Sequence, residues 1–129
     1  MSFNLFTRDS HCKKIEIMYV ITRNMKVTKD LTESVIEDLS HKSAVVKAEG
    51  FIRRDIMVNK SSEDFDIIKM FIYWEDKESS IKWKGSKEHQ QGHIERHKNR
   101  KESGKEPINK KALNLTTEEF EVVYTLLPE

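Results

Sequence analysis

Residues 15–28 alternate between apolar and polar positions with a period of two, the signature of a half-buried strand. Ile15, Ile17, Tyr19, Ile21, Arg23, Met25 and Val27 share one face, and Arg23 is the odd member of that apolar row. The period then changes. Leu31, Val35, Ile36 and Leu39 follow helical spacing, with Thr28 or Asp30 available as a cap. Glu49-Gly50 reads as a turn into a second strand over 51–59, where Ile52, Arg54, Ile56 and Val58 alternate with Phe51, Arg53, Asp55 and Met57. Residues 61–64 suit a hairpin loop, and 65–74 are rich in the β-branched and aromatic residues that suit a buried pleat. Glu75 or Asp76 can cap a short helix over 77–83. Gly85-Ser86 breaks it before a second helix from about 86 to 97. A charged loop is expected over 98–111 and a last strand over roughly 115–127.

The order strand, helix, strand, strand, helix pair, strand predicts an α+β fold of the ferredoxin-like, split βαβ kind. Its sheet is expected to be antiparallel, with helices on one face. No further element remains to cover the other face, so a second copy is the economical cover and a homodimer is expected. Residues 1–14 read as an N-terminal extension and 15–129 as one domain.

Composition narrows the function classes. Charged residues make up 35% of the chain but nearly cancel to a net +1, which provides no global field for nucleic acid. No apolar run reaches the roughly 20 residues of a membrane helix. Cys12 is the single cysteine, so no internal disulfide forms. With no apolar core of a signal peptide after Phe3, Leu5 and Phe6, the expected setting is cytoplasmic.

The chemistry-bearing residues concentrate between Trp83 and His97. His89, His93 and His97 are four apart, so neighbours lie about 40° apart on a helix. A metalloprotease also needs a glutamate directly after the first histidine; Gln90 follows His89, and Ile94 follows His93. Zinc also lacks cysteine partners. An axial heme ligand asks for less: one imidazole, little bulk beside it and an apolar slot. His93 follows Gly92, and Trp83 on the preceding helix can wall a flat ligand. The bland alternatives are solvated histidines, a glycine at a helix packing contact and a core or interface tryptophan. Trp74, ending an apolar strand, reads as core. Arg23 needs a partner: a ligand carboxylate or an acidic side chain. Cys12, beside His11, reads as an inert thiol in the extension, and the 98–111 charge run as solvated, as a cover for a ligand's acidic groups or as a dock for an acidic redox partner. No phosphate-binding glycine loop, flavin or nicotinamide motif is present.

Several short motifs share one register: Val27-Thr28-Lys29, Glu49-Gly50-Phe51, Glu63-Asp64-Phe65-Asp66, Trp74 nine residues before Trp83, Trp83 ten before His93, and Glu106-Pro107-Ile108-Asn109. With these the chain resembles the IsdG-type heme-degrading monooxygenases of the antibiotic biosynthesis monooxygenase superfamily. The resemblance implies a dimeric α+β barrel with one heme cleft per subunit. It implies His93 as the metal ligand, Trp83 against the porphyrin, distorting it, and Gly92 beside it. A distal asparagine is the family's fourth feature. Here Arg23 stands at that position with Asn24 one step on, and a strand would turn Asn24 away unless a bulge intervenes. The implied catalytic residues are Arg23, Asn24, Trp83 and His93, with Arg23 and Gly92 also lining the heme. The implied function is oxidative heme degradation to an open-chain tetrapyrrole with release of iron. Heme would be both substrate and cofactor, with O2 and an external electron donor, a separate reductase. A non-catalytic heme carrier or sensor, and a cofactor-free monooxygenase of a small aromatic, are the other readings on this fold.

Overall fold

The structure, a computed structural model, describes residues 18–102 and 113–129. The expectations for the 1–14 extension, for Cys12 and for the 106–109 segment lie outside the described residues. The elements follow the expected order: β1 (Tyr19–Thr28), α1 (Thr32–Leu39), a 3-10 turn (Ala44–Lys47), β2 (Phe51–Asn59), β3 (Phe65–Trp74), α2 (Lys77–Lys84), α3 (Lys87–Glu102) and β4 (Thr116–Glu121). The strands form one antiparallel sheet in the order β2-β3-β1-β4, the ferredoxin-like arrangement. Among the described residues no helix is long and apolar enough to cross a membrane.

The apolar row of β1 faces the helices. Met25 and Val27 pack with Ile68, Val35 and Leu113; Tyr19 and Ile21 pack with Val45 and Trp74. Trp74, Ile68 and Val27 are almost wholly buried, and each such side chain contributes a few kcal/mol through the area it removes from water. Tyr19 donates its hydroxyl to Glu119 on β4, and this contact with burial pushes the phenol up to about 12.

Four local features depart from the sequence reading. β2 has a register shift between Phe51 and Arg53. That bulge turns Phe51 onto the core face, edge-on to Trp74 at 5.7 Å, and leaves Ile52 exposed. α1 starts at Leu31 without a side-chain cap, so neither Thr28 nor Asp30 serves. Its first turn is held through Thr32, which donates to the buried Asp66 at 2.8 Å, while Lys29 donates to the same carboxylate at 2.6 Å. α3 continues through 98–102, where a loop was expected; Lys and Glu favour helix, and no breaker intervenes before Gly104. β4 spans Thr116–Glu121, shorter than the expected strand, and just beyond it Val122 donates to the Met18 carbonyl at 2.9 Å.

Two expected punctuation marks hold. Asp76 caps α2 by accepting from the Ser79 N–H at 2.8 Å, which keeps its carboxyl below the usual range. Gly50 sits at φ +81°, and a Cβ there would lie 2.2 Å from Ser79 Oγ. The turn therefore needs glycine for its backbone and for the approach of α2.

Candidate active site

Between the helix-facing side of the sheet and α3 lies a cavity of about 890 Å³, within the usual range for small-molecule sites. Its floor comes from the strands. Ile21, Arg23 and Met25 reach it from β1, Arg54 from β2, and Met70 and Ile72 from β3. Trp83 and the α3 residues His89, Gly92, His93 and Arg96 form the wall.

Strand alternation decides between Arg23 and Asn24. The β1–β3 register runs unbroken from Tyr19–Trp74 to Thr28–Phe65, so no bulge re-aims a side chain. Arg23 faces the cavity opposite Met70 and Thr117. Asn24 lies on the other face, donating to Thr116 Oγ1 at 3.3 Å and Glu118 Oε1 at 2.8 Å. The sequence grouped Arg23, Asn24, Trp83, Gly92 and His93; the structure brings four of them together and leaves Asn24 outside.

The wall is built by helix spacing. Ser86 Oγ accepts from the His89 N–H at 3.1 Å and starts α3 one turn beyond Trp83. The His89 ring then meets Trp83 edge-on at 5.2 Å and His93 at 4.5 Å. His93 Nε2 lies 3.2 Å from His89 Nε2, and His93 Nδ1 lies 3.2 Å from an Arg96 nitrogen. A guanidinium only donates, so His93 Nδ1 accepts from Arg96. The His93 proton then sits on Nε2, which donates to His89. Burial first, then the charges of Arg23, Arg96 and Lys84, hold the His89 imidazole below its ordinary range, so it is neutral at pH 7 and able to accept.

Gly92 has no packing explanation. A Cβ built there meets nothing within 4 Å, so the glycine, which lines the cavity, makes no close contact of its own. It does so at about 1 kcal/mol of helix propensity relative to alanine.

Three members of the site were not singled out from the sequence. Arg96 also donates to His41 Nε2 at 3.3 Å, and Arg54 donates to the His41 carbonyl at 2.7 Å. Burial and then the Arg96 charge pull both Arg23 and Arg54 down from the ordinary arginine value, and both remain charged. Arg23 Nε is buried without a hydrogen-bond partner. Arg54 carried a readable signal, being the charged member of the Ile52–Val58 row as Arg23 is of the β1 row. Arg96 lies one turn beyond His93. His41, in the α1–β2 connection, carried no signal. His97 does not line the cavity. Among the described residues no group of three or more His, Cys, Asp or Glu side chains is placed to hold a metal ion.

Known proteins resemble this chain in sequence and in fold. A heme-degrading monooxygenase of Halalkalibacterium halodurans is 27% identical over 79 residues, 61% of this chain and 68% of its own length. A Bacillus cereus crystal structure described as an antibiotic biosynthesis monooxygenase superposes with a TM-score of 0.67 at 21% identity, covering 87% of this chain and 99% of that one. A cofactor-independent oxygenase from Streptomyces nogalater, at 14% identity over 88% of this chain and 99% of its own, reaches a TM-score of 0.49, too distant to bear on activity. Residues 18–95 match the profile of the antibiotic biosynthesis monooxygenases, a span from the start of β1 to two residues past His93. That match takes in the sheet floor and the wall from Trp83 through His93, and the chain belongs, as a monooxygenase, to the antibiotic biosynthesis monooxygenase family.

Proposed function

We propose that the cavity binds heme as a substrate and that the protein degrades it oxidatively, releasing iron and an open-chain tetrapyrrole. The observation that carries this reading is the open space at Gly92, beside His93 and on the same cavity as Trp83. A glycine that costs helix stability and packs against nothing suits a site kept clear for a flat ligand. The volume, the apolar floor and the buried Arg23 nitrogen facing the cavity fit the same ligand. The name of the H. halodurans relative points the same way.

His93 would hold the iron and Trp83 would bear on the porphyrin edge. When bound, heme supplies both the iron that activates O2 and the meso carbon that is oxidised; electrons come from a separate reductase. The chain's own part is positional. His93 has its proton on Nε2, so ligation through that atom requires the proton to leave and the His89 contact to open. A proton moved to Nδ1 faces Arg96, so Arg96 must turn away as the ligand enters. Arg23 occupies the place of the family's asparagine and offers fixed charge with several N–H donors where asparagine offers a neutral amide. That substitution favours one second reading, a heme carrier or sensor that binds without degrading.

The sheet face opposite the cavity carries half-buried Phe65, Ile67 and Phe71 with exposed Met57 and Phe120, an apolar strip that a second copy would cover. A monomer in sedimentation equilibrium at micromolar concentration would remove the homodimer from the account. Heme binding is tested by titrating hemin into the protein. A shifted Soret band is expected in the native chain, with a different band and at least about tenfold weaker binding in His93→Ala. An unchanged spectrum in that variant would remove His93 as ligand.

A further inference from the structure

The cavity is more basic than the molecule. It gathers six lysine and arginine side chains against three carboxylates, although the whole chain is nearly balanced at 23 against 22. Two of the arginines converge on one residue. Arg54 from β2 donates to the His41 carbonyl at 2.7 Å, and Arg96 from α3 donates to the His41 ring at 3.3 Å. The acceptors seen for both are neutral, a backbone oxygen and two imidazoles. Half-buried guanidiniums held together on neutral acceptors repel one another, and an anion placed between them relieves that repulsion. Arginine presents a planar fork that matches a carboxylate with two parallel hydrogen bonds.

We propose that Arg54 and Arg96, brought together on His41, form a carboxylate-binding subsite that selects ligands with acidic side groups on a flat apolar body. This rests on the porphyrin reading for the identity of the flat body alone. On that reading the groups bound are the propionates. The subsite would orient the ring, with its acidic edge toward His41 and its other edges against Trp83 and the apolar floor.

The test uses metal-free protoporphyrin IX and its dimethyl ester, which differ only in the carboxylates and make no bond from iron to His93. Each is titrated in the same dilute detergent and followed by porphyrin fluorescence. 2-Naphthoate and methyl 2-naphthoate, measured by equilibrium dialysis, form a second acid–ester pair. The native protein is expected to bind each acid at least about tenfold more tightly than its ester, a difference of about 1.4 kcal/mol. In Arg54→Gln the acid-to-ester ratio should fall toward one while ester affinity is retained, and Arg54→Lys should restore part of it. If Arg54→Gln unfolds, Arg96→Gln reads the same ratio. A ratio near one in the native protein overturns the proposal, and so does a ratio that survives both glutamine variants. If neither porphyrin binds, the porphyrin reading fails, and the naphthoate pair still decides the subsite by the same ratio.

Discussion

Arg96, His93 and His89 form a short relay in which each hydrogen bond dictates the next. The guanidinium fixes the acceptor on His93, which fixes the donor toward His89. Trp83 then closes the far side of His89. The sequence showed Trp83 and His93, on either side of His89, but treated His89 as a bystander because the four-residue spacing was weighed only as a zinc site. It also showed Arg23 as the charge in an apolar row. Arg54 broke its own row in the same way, and the two meet in one cavity. Gly92 allows a prediction with two opposed signs. Gly92→Ala should stabilise α3 by about 1 kcal/mol, raising Tm by roughly 4 °C, because alanine loses less backbone entropy in a helix. On a residue that lines the cavity, the same methyl should also weaken hemin binding. Calorimetric melting and a Soret titration on one sample check both. A higher Tm with unchanged hemin affinity would return Gly92 to an ordinary surface position.

At the scale of elements, the motifs that looked weak one by one are joined in space. Lys29 and Thr32 leave β1 and enter α1, and both donate to Asp66 at the start of β3. Gly50 leads into β2 and sits against Ser79 of α2. These contacts fix how the helices lie over the sheet, and so fix the cavity. Strand existence and order were legible because alternation over eight to ten residues is a strong signal. The bulge at Ile52 was not, because one extra residue leaves the pattern readable in either register. The Asp66 carboxyl is held below its ordinary value by the hydrogen bond from Lys29 and then by that from Thr32, with burial opposing them. A depressed folded-state value means stability that is fully present above the unfolded value of about 3.8 and lost as pH falls through the lower folded value. Asp66→Asn should therefore lower Tm at pH 7, and its gap from the native protein should narrow below pH 4. Melts recorded from pH 7 to pH 2.5 test this. A gap that stays constant with pH would mean that the Asp66 charge contributes nothing.

For the whole molecule, the split βαβ order was visible in the alternation and helical spacing of the sequence alone. The sequence could not show that three arginines from distant segments would share one cavity, because Arg23, Arg54 and Arg96 meet only after the sheet and α3 close on each other. Nor could it show that Arg23 alone of the pair faces the cavity, since only an unbroken β1 register places Asn24 on the far face. On the proposed function this cavity destroys heme as well as binding it. The most direct measurement is single-turnover spectroscopy of the hemin complex in air with ascorbate as electron donor and catalase present to remove free peroxide. Loss of the Soret band, appearance of a linear tetrapyrrole spectrum and iron captured by a ferrous chelator are expected. A Soret band that is reduced but persists for hours, with no chelatable iron, would contradict the proposed function and leave a heme-binding protein without the oxygenase activity.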